Sequence, residues 1–126
     1  MKQTNIPNEE QSKLFDRYME HWQTVLNLCD WRIEKGLKPA KNAMASVEFH
    51  SPARLATYRL GDWGGTPITE KSLEQTAVHE LLHVVLYDLV AVAQNRDAKD
   101  EDIEAAEHRV INVFERLLTK ELYGES

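Results

Sequence analysis

One stretch limits what this chain can become. Residues 77–92 are almost continuously apolar, yet they carry His79, Glu80, His83, Tyr87 and Asp88. Ala77, Val78, Leu81, Leu82, Val84, Val85, Leu86, Leu89, Val90 and Val92 would fall around nearly the whole circumference of a helix. A helix that is apolar all round is expected to be buried. Ser72-Leu73-Glu74-Gln75 fits a capping box, so the helix is expected to begin near Thr69 or Ser72, with Glu70 and Glu74 in its first turn. Within it, His79 and His83 are four residues apart and stand one above the other, where both can bind one metal ion. Glu80 lies about 100° further round, at the rim of that face, where a carboxylate can hold a water beside the metal.

The other elements follow from their spacing. Over residues 8–28, Leu14, Phe15, Tyr18, Met19, Trp22, Val25 and Leu26 recur at three- and four-residue intervals, which predicts an amphipathic helix with Asn8 as its cap. Glu9 and Glu10 suit its positive end. Cys29-Asp30 is expected to break it. Residues 31–34, 43–49 and 55–60 alternate as strands do, the last two joined by a turn at Ser51-Pro52. A loop containing Asp62, Trp63 and Gly64-Gly65 leads into the apolar helix. After a polar loop at 94–100, Asp97 or Asp100 is expected to cap a last helix that ends at Gly124. The sum is one α+β domain: an N-terminal helix, a small three-stranded, mostly antiparallel sheet, a buried helix carrying the motif, and a C-terminal helix.

Composition narrows the function. The formal net charge of −6 argues against binding to nucleic acid or to an acidic membrane through the whole surface. Residues 31–60 are the local exception: Arg32, Lys35, Lys38, Lys41, Arg54 and Arg59 against Glu34 and Glu48. This excess reads as a solvated surface. Cys29 is the only cysteine, so no intrachain disulfide can form, and it is expected to pack as a small hydrophobe. Residues 1–7 lack the apolar core of a signal peptide, and the apolar run at 84–93 reads as too short to span a bilayer. A soluble cytoplasmic protein is expected, of no stated oligomeric order.

Catalytic zinc sites usually take three protein ligands and leave a fourth position for water. Leu86 and Leu89 stand where the longer His-Glu-x-x-His-x-x-Gly-x-x-His pattern needs Gly and His, so the third ligand must come from elsewhere. The last helix offers Glu101, Glu104, Glu107 and His108. Glu107 falls about 40° from Ile103 and about 20° from Phe114, inside the apolar face. A carboxylate turned toward a core is costly unless it is paired or ligates a metal, which favours Glu107. Glu104 is the alternative after a modest rotation, and His108 could reach over from one side.

His79-Glu80-Leu81-Leu82-His83 on an apolar helix, followed by a Glu on the next helix, resembles the zincin metallopeptidases of the gluzincin type. The short length is similar to that of minimal zincin-like proteins of bacteriophage and prophage genomes. The resemblance covers roughly half the chain, and no Asn-Glu-Ala-like segment surrounds the third Glu. It implies Zn²⁺ held by His79, His83 and Glu107, with Glu80 as the general base for hydrolysis of a peptide or protein substrate. It also implies that the peptide lies extended along an edge strand, for which 43–49 and 55–60 are candidates. Tyr58, Tyr87 and His108 are possible oxyanion donors, Asp88 a possible partner of a ligand histidine, and Asp62 and Trp63 possible walls of the cleft. Two alternatives differ in class: a non-catalytic domain stapled by zinc, and a metal-free phage assembly or regulatory protein.

Overall fold

The computed structural model describes residues 4–50 and 52–123, with side chains as far as residue 119. Ser51 and Gly124, expected in a turn and at a helix end, lie outside the described residues. The architecture is α+β, in the order α1 (Glu9–Val25), β1 (Arg32–Lys35), β2 (Ala45–His50), β3 (Leu55–Leu60), α2 (Glu70–Gln94) and α3 (Asp100–Tyr123). Contacts divide the chain into two compact units, Met1–Leu82 and His83–Ser126, with the boundary inside α2.

In the first unit, α1 starts on a capping box. The Asn8 side chain accepts from the Gln11 N–H at 2.8 Å, and the Gln11 side chain accepts from the Asn8 N–H at 2.9 Å. The helix ends earlier than expected. Asn27 adopts φ 56°, the Leu28 N–H donates to the Gln23 carbonyl, and the Asn27 N–H donates to that of Thr24, each at 3.0 Å. Asn tolerates the left-handed conformation that this ending requires, so Asn27 and not Cys29-Asp30 stops the helix. Cys29 is exposed, which corrects its expected packing role.

The sheet is mixed, with strand order β1-β3-β2. β2 and β3 form the expected antiparallel pair, running from Ala45 opposite Leu60 to His50 opposite Leu55. β1 pairs with β3 in parallel, from Arg32 opposite Leu55 to Lys35 opposite Tyr58. The central strand is therefore β3, whose Ala56 and Tyr58 point into the core. No residue of β2 is fully buried, as suits an edge. Phe15 and Met19 of α1 pack into the same core as Trp31, Trp63 and the α2 residues Leu73 and Ala77. The rings of Phe15 and Tyr58 lie 5.9 Å apart.

Polar ties fix these elements to one another. Tyr58 donates to Asp16 Oδ1 at 3.0 Å, and Lys35 Nζ donates to Asp16 Oδ2 at 3.1 Å. Trp22 Nε1 donates to Glu74 Oε2 at 2.8 Å and holds α1 to the first turns of α2. The basic segment is largely neutralised where it stands. Arg32 pairs with Glu34, Lys35 with Asp16, Arg54 with Asp30, and Arg59 with Glu48. Two of those acids lie outside the segment, so its sequence charge overstates its field.

Of the two expected starts of α2, Thr69 is the one used, and the capping box lies one turn before Ser72-Leu73-Glu74-Gln75. The Ser72 N–H donates to Thr69 Oγ1 at 3.0 Å, and the Thr69 N–H donates to Ser72 Oγ at 2.8 Å. Thr69 is thus the cap, and Ser72 its reciprocal partner three residues on. The helix is not buried all round. Leu73, Ala77, Glu80, Leu81, Val84 and Val85 are buried, whereas His79, His83, Leu86 and Val90 are exposed. Its buried positions fall on one face, so apolar content alone overstated the burial. At 25 residues, α2 is also long and apolar enough to cross a membrane by length and composition alone, which corrects the reading of a run too short to do so.

In the second unit, Lys99 caps α3. Its N–H donates to Asp102 Oδ2 at 3.0 Å, and its carbonyl accepts from the Asp102 N–H at 2.9 Å. Asp100 is the first residue of the helix, and the Asp97 N–H donates to Asn95 Oδ1, so neither aspartate is the cap. Arg109 of α3 donates to Asp88 of α2 at 2.6 Å.

Candidate metal centre

His79, Glu80 and His83 come together on successive turns of α2 because a helix repeats every 3.6 residues. Each offers one ligand atom, and these atoms all lie within 4.8 Å of one another. His79 Nε2 is 4.0 Å from Glu80 Oε2. A tetrahedral zinc with nitrogens at about 2.0–2.1 Å holds its ligand atoms roughly 3.3 Å apart, which small side-chain rotations reach from this arrangement. The residues therefore fit a divalent metal with nitrogen ligands.

Their environments differ in a way that sequence did not show. The side chain of His79 is 69% exposed and His83 is exposed, while Glu80 is only 6% exposed. Glu80 is the one buried charged residue among those described. A carboxylate held in so dry a place must be stabilised by its neighbours or be put to use. The imidazoles, facing out, are accessible to an ion arriving from solvent.

A cavity of about 420 Å³ opens beside this group. It is lined by Met44 and Ala45, at the start of edge strand β2, and by Gln75, Thr76, His79 and Glu80 of α2. Gln75 and His79 share one face at a spacing of four, as do Thr76 and Glu80, so α2 presents two rows to the cavity. Of the two strands proposed for an extended peptide, only β2 has a free edge, because β3 is central. Met44, Gln75 and Thr76 were not singled out in the sequence. The signal for the last two was present: each precedes a motif residue by one helical turn.

Other candidates fall elsewhere. Glu107 is on α3, is exposed, and is not in the group of mutually close ligand atoms. The cost of burial that singled it out therefore does not operate. Glu104 and His108 are exposed too, and His108 Nδ1 lies 3.0 Å from the Glu104 carbonyl oxygen. The Tyr58 hydroxyl is engaged by Asp16, and burial together with that carboxylate pushes its pKa above the ordinary value. Tyr87 is half-buried on α2, and Asp88 accepts from Arg109. Asp62 Oδ1 accepts from the N–H groups of Asn5 and Gly64 and so shapes the loop. Trp63 is a core residue, with Nε1 buried and without a hydrogen-bond partner among the described residues. Searches against family models, curated proteins and solved structures find no match to this chain.

Proposed function

We propose that this protein is a zinc-dependent peptidase of zincin-like type, acting on a peptide or protein substrate. The observation that carries this reading is the placement of buried Glu80 beside exposed His79, on the wall of a cavity whose other side is the edge strand. His79 and His83 would hold the metal. When bound, zinc would polarise the scissile carbonyl and lower the pKa of a water molecule. Glu80 would take up a proton from the attacking water and return it to the departing amine. Burial favours this use, since a carboxylate in a dry site interacts strongly with a proton or a charge nearby. β2 is an edge strand of the sheet, against which an extended peptide can lie. A purely structural zinc site has no need of Glu80.

Family resemblance, and not burial, names Glu107 as the third protein ligand, with Glu104 as the alternative. Zinc affinity decides between them: Glu107→Ala is expected to weaken binding by at least about tenfold, and Glu104→Ala to leave it within a factor of about two. The reverse pattern moves the ligand.

The reading is tested by metal content and turnover together. Protein purified without chelators is expected to hold one zinc per chain and to cleave a denatured protein substrate. Glu80→Gln should keep the zinc and the fold while losing turnover by about 10²–10⁴-fold. A protein that binds no zinc ends the proposal, as does a Glu80→Gln variant with undiminished cleavage.

A further inference from the structure

We propose that α3 carries a docking face for a cationic amphipathic helix of another protein, along the row Ile103, Ile111, Phe114 and Leu118. These four side chains are between 43% and 68% exposed, and they stand on one side of the helix within about 80° of one another. A second apolar row, Ala106, Val110, Val113 and Leu117, is buried or half-buried, so the exposed row is not the one that anchors the helix. Four large apolar side chains left about half exposed make a patch on the order of 400 Å², a size that on soluble proteins commonly serves an interaction. The row runs about 22 Å along α3, the length of a partner helix of about four turns laid beside it.

Charge decides what can lie there. Asp100, Glu104, Glu107 and Glu115 fall within about 80° of the centre of the row, whereas Arg109 and Arg116 fall about 160–180° away. All four acids are exposed, and none joins an ion pair among the described residues. Arg109 turns instead to Asp88. A second copy of this chain would bring no base to these acids and would crowd them against their counterparts. An anionic membrane surface would be repelled in the same way. A helix with leucine-like residues on one face and lysine or arginine along its borders answers both features. Its apolar face covers the row, and its cations meet the acids. The apolar contacts carry the affinity, and the acids at the rim select the charge of the partner. The face shares no residue with the cavity beside β2 or with the histidine pair. It also holds whichever of Glu104 and Glu107 takes a metal, since Asp100 and Glu115 remain.

The test uses the full chain and three synthetic peptides of about 18 residues. The first places leucine and lysine at amphipathic helical spacing. The second has the same composition with the leucines scattered round the helix, and the third keeps the amphipathic pattern with glutamate for lysine. In a fluorescence titration the first is expected to bind with a dissociation constant of about 1–10 μM, and the other two at least about tenfold more weakly. Phe114→Ser combined with Leu118→Ser should weaken the first peptide at least about thirtyfold. Glu115→Lys should weaken it about three- to tenfold. Glu10→Lys makes the same change of charge on exposed α1 surface and should leave the affinity within a factor of about two. All the substituted side chains are exposed, so circular dichroism should show the helices unchanged. Failure of the first peptide to bind, or equal binding of either control peptide, overturns the docking face. So does an affinity indifferent to the paired serine substitutions, or an equal loss in Glu10→Lys and Glu115→Lys. A dimer in sedimentation that the serine pair dissolves overturns it in favour of a second copy. Binding to phosphatidylglycerol vesicles that the serine pair abolishes overturns it in favour of a membrane.

Discussion

Tyr58 shows how single residues hold the first unit together. Its ring packs against Phe15 in the core, while its hydroxyl reaches Asp16, which also takes Lys35. Tyr58→Phe keeps the ring and removes the donor, and is expected to cost about 1–2 kcal/mol in a urea titration at neutral pH. The pH dependence has a definite sign. Burial, and then the Asp16 carboxylate, raise the Tyr58 pKa above its ordinary value of 10.0, so the folded state holds the phenolic proton more tightly than the unfolded chain. The associated stability is full below the unfolded pKa and is lost as pH rises above it toward the folded value. The gap between wild type and Tyr58→Phe should therefore hold up to about pH 10 and shrink in the window above it. A gap that stays constant across that window would remove the proposed coupling. Sequence alternation placed Tyr58 on a strand but left its partner open, because a contact across 42 residues leaves no local pattern. The motif residues were different. Their fixed spacing of one helical turn made His79, Glu80 and His83 legible at once, whereas the exposure that separates the histidines from Glu80 depends on tertiary packing.

At the scale of elements, β2 matters because its first residues wall the cavity, and Gly61 fixes where they sit. The Gly61 N–H donates to the Met44 carbonyl at 2.8 Å. A Cβ on Gly61 would stand 2.1 Å from the Ala43 carbonyl oxygen and 2.9 Å from that of Ala40. Both obstacles are backbone, so the chain itself must move to admit a side chain. Gly61→Ala is expected to lower stability by about 1–3 kcal/mol and to displace the start of β2 from α2. Chemical shifts of Met44 and Ala45 would report the displacement, and an unperturbed variant would show that the approach is looser than the distances imply. All six elements were visible from period and punctuation, with β3 placed to the residue. The caps were less legible, since Thr69, Lys99 and Asn27 compete with other polar residues nearby, and only hydrogen-bond geometry decides among them. Strand order was not legible at all: alternation tells which residues face a core but not which strand lies in the middle.

At the scale of the whole molecule, the boundary between the two units falls between Leu82 and His83, inside the motif. The helix is continuous there, so the backbone hydrogen bonds of one turn are what join His79 to His83 along α2. A metal held by both imidazoles would clamp that turn, adding the free energy of binding to the local stability of the helix. Any ligand that binds only the folded form stabilises it, by about 2.7 kcal/mol at a free concentration 100 times its dissociation constant. If His79 and His83 are ligands, zinc should slow hydrogen exchange most strongly at amides 79–87, on both sides of the boundary together. It should also raise the melting temperature, and a chelator should reverse both effects. His79→Ala should abolish the protection at 83–87, although that segment belongs to the other unit, because the clamp needs both ends. The measurement is native-state exchange with and without zinc, compared with the same pair for His79→Ala. Protection confined to one side of Leu82, or surviving in His79→Ala, would mean that the two histidines do not share an ion, and the peptidase proposal would lose its metal.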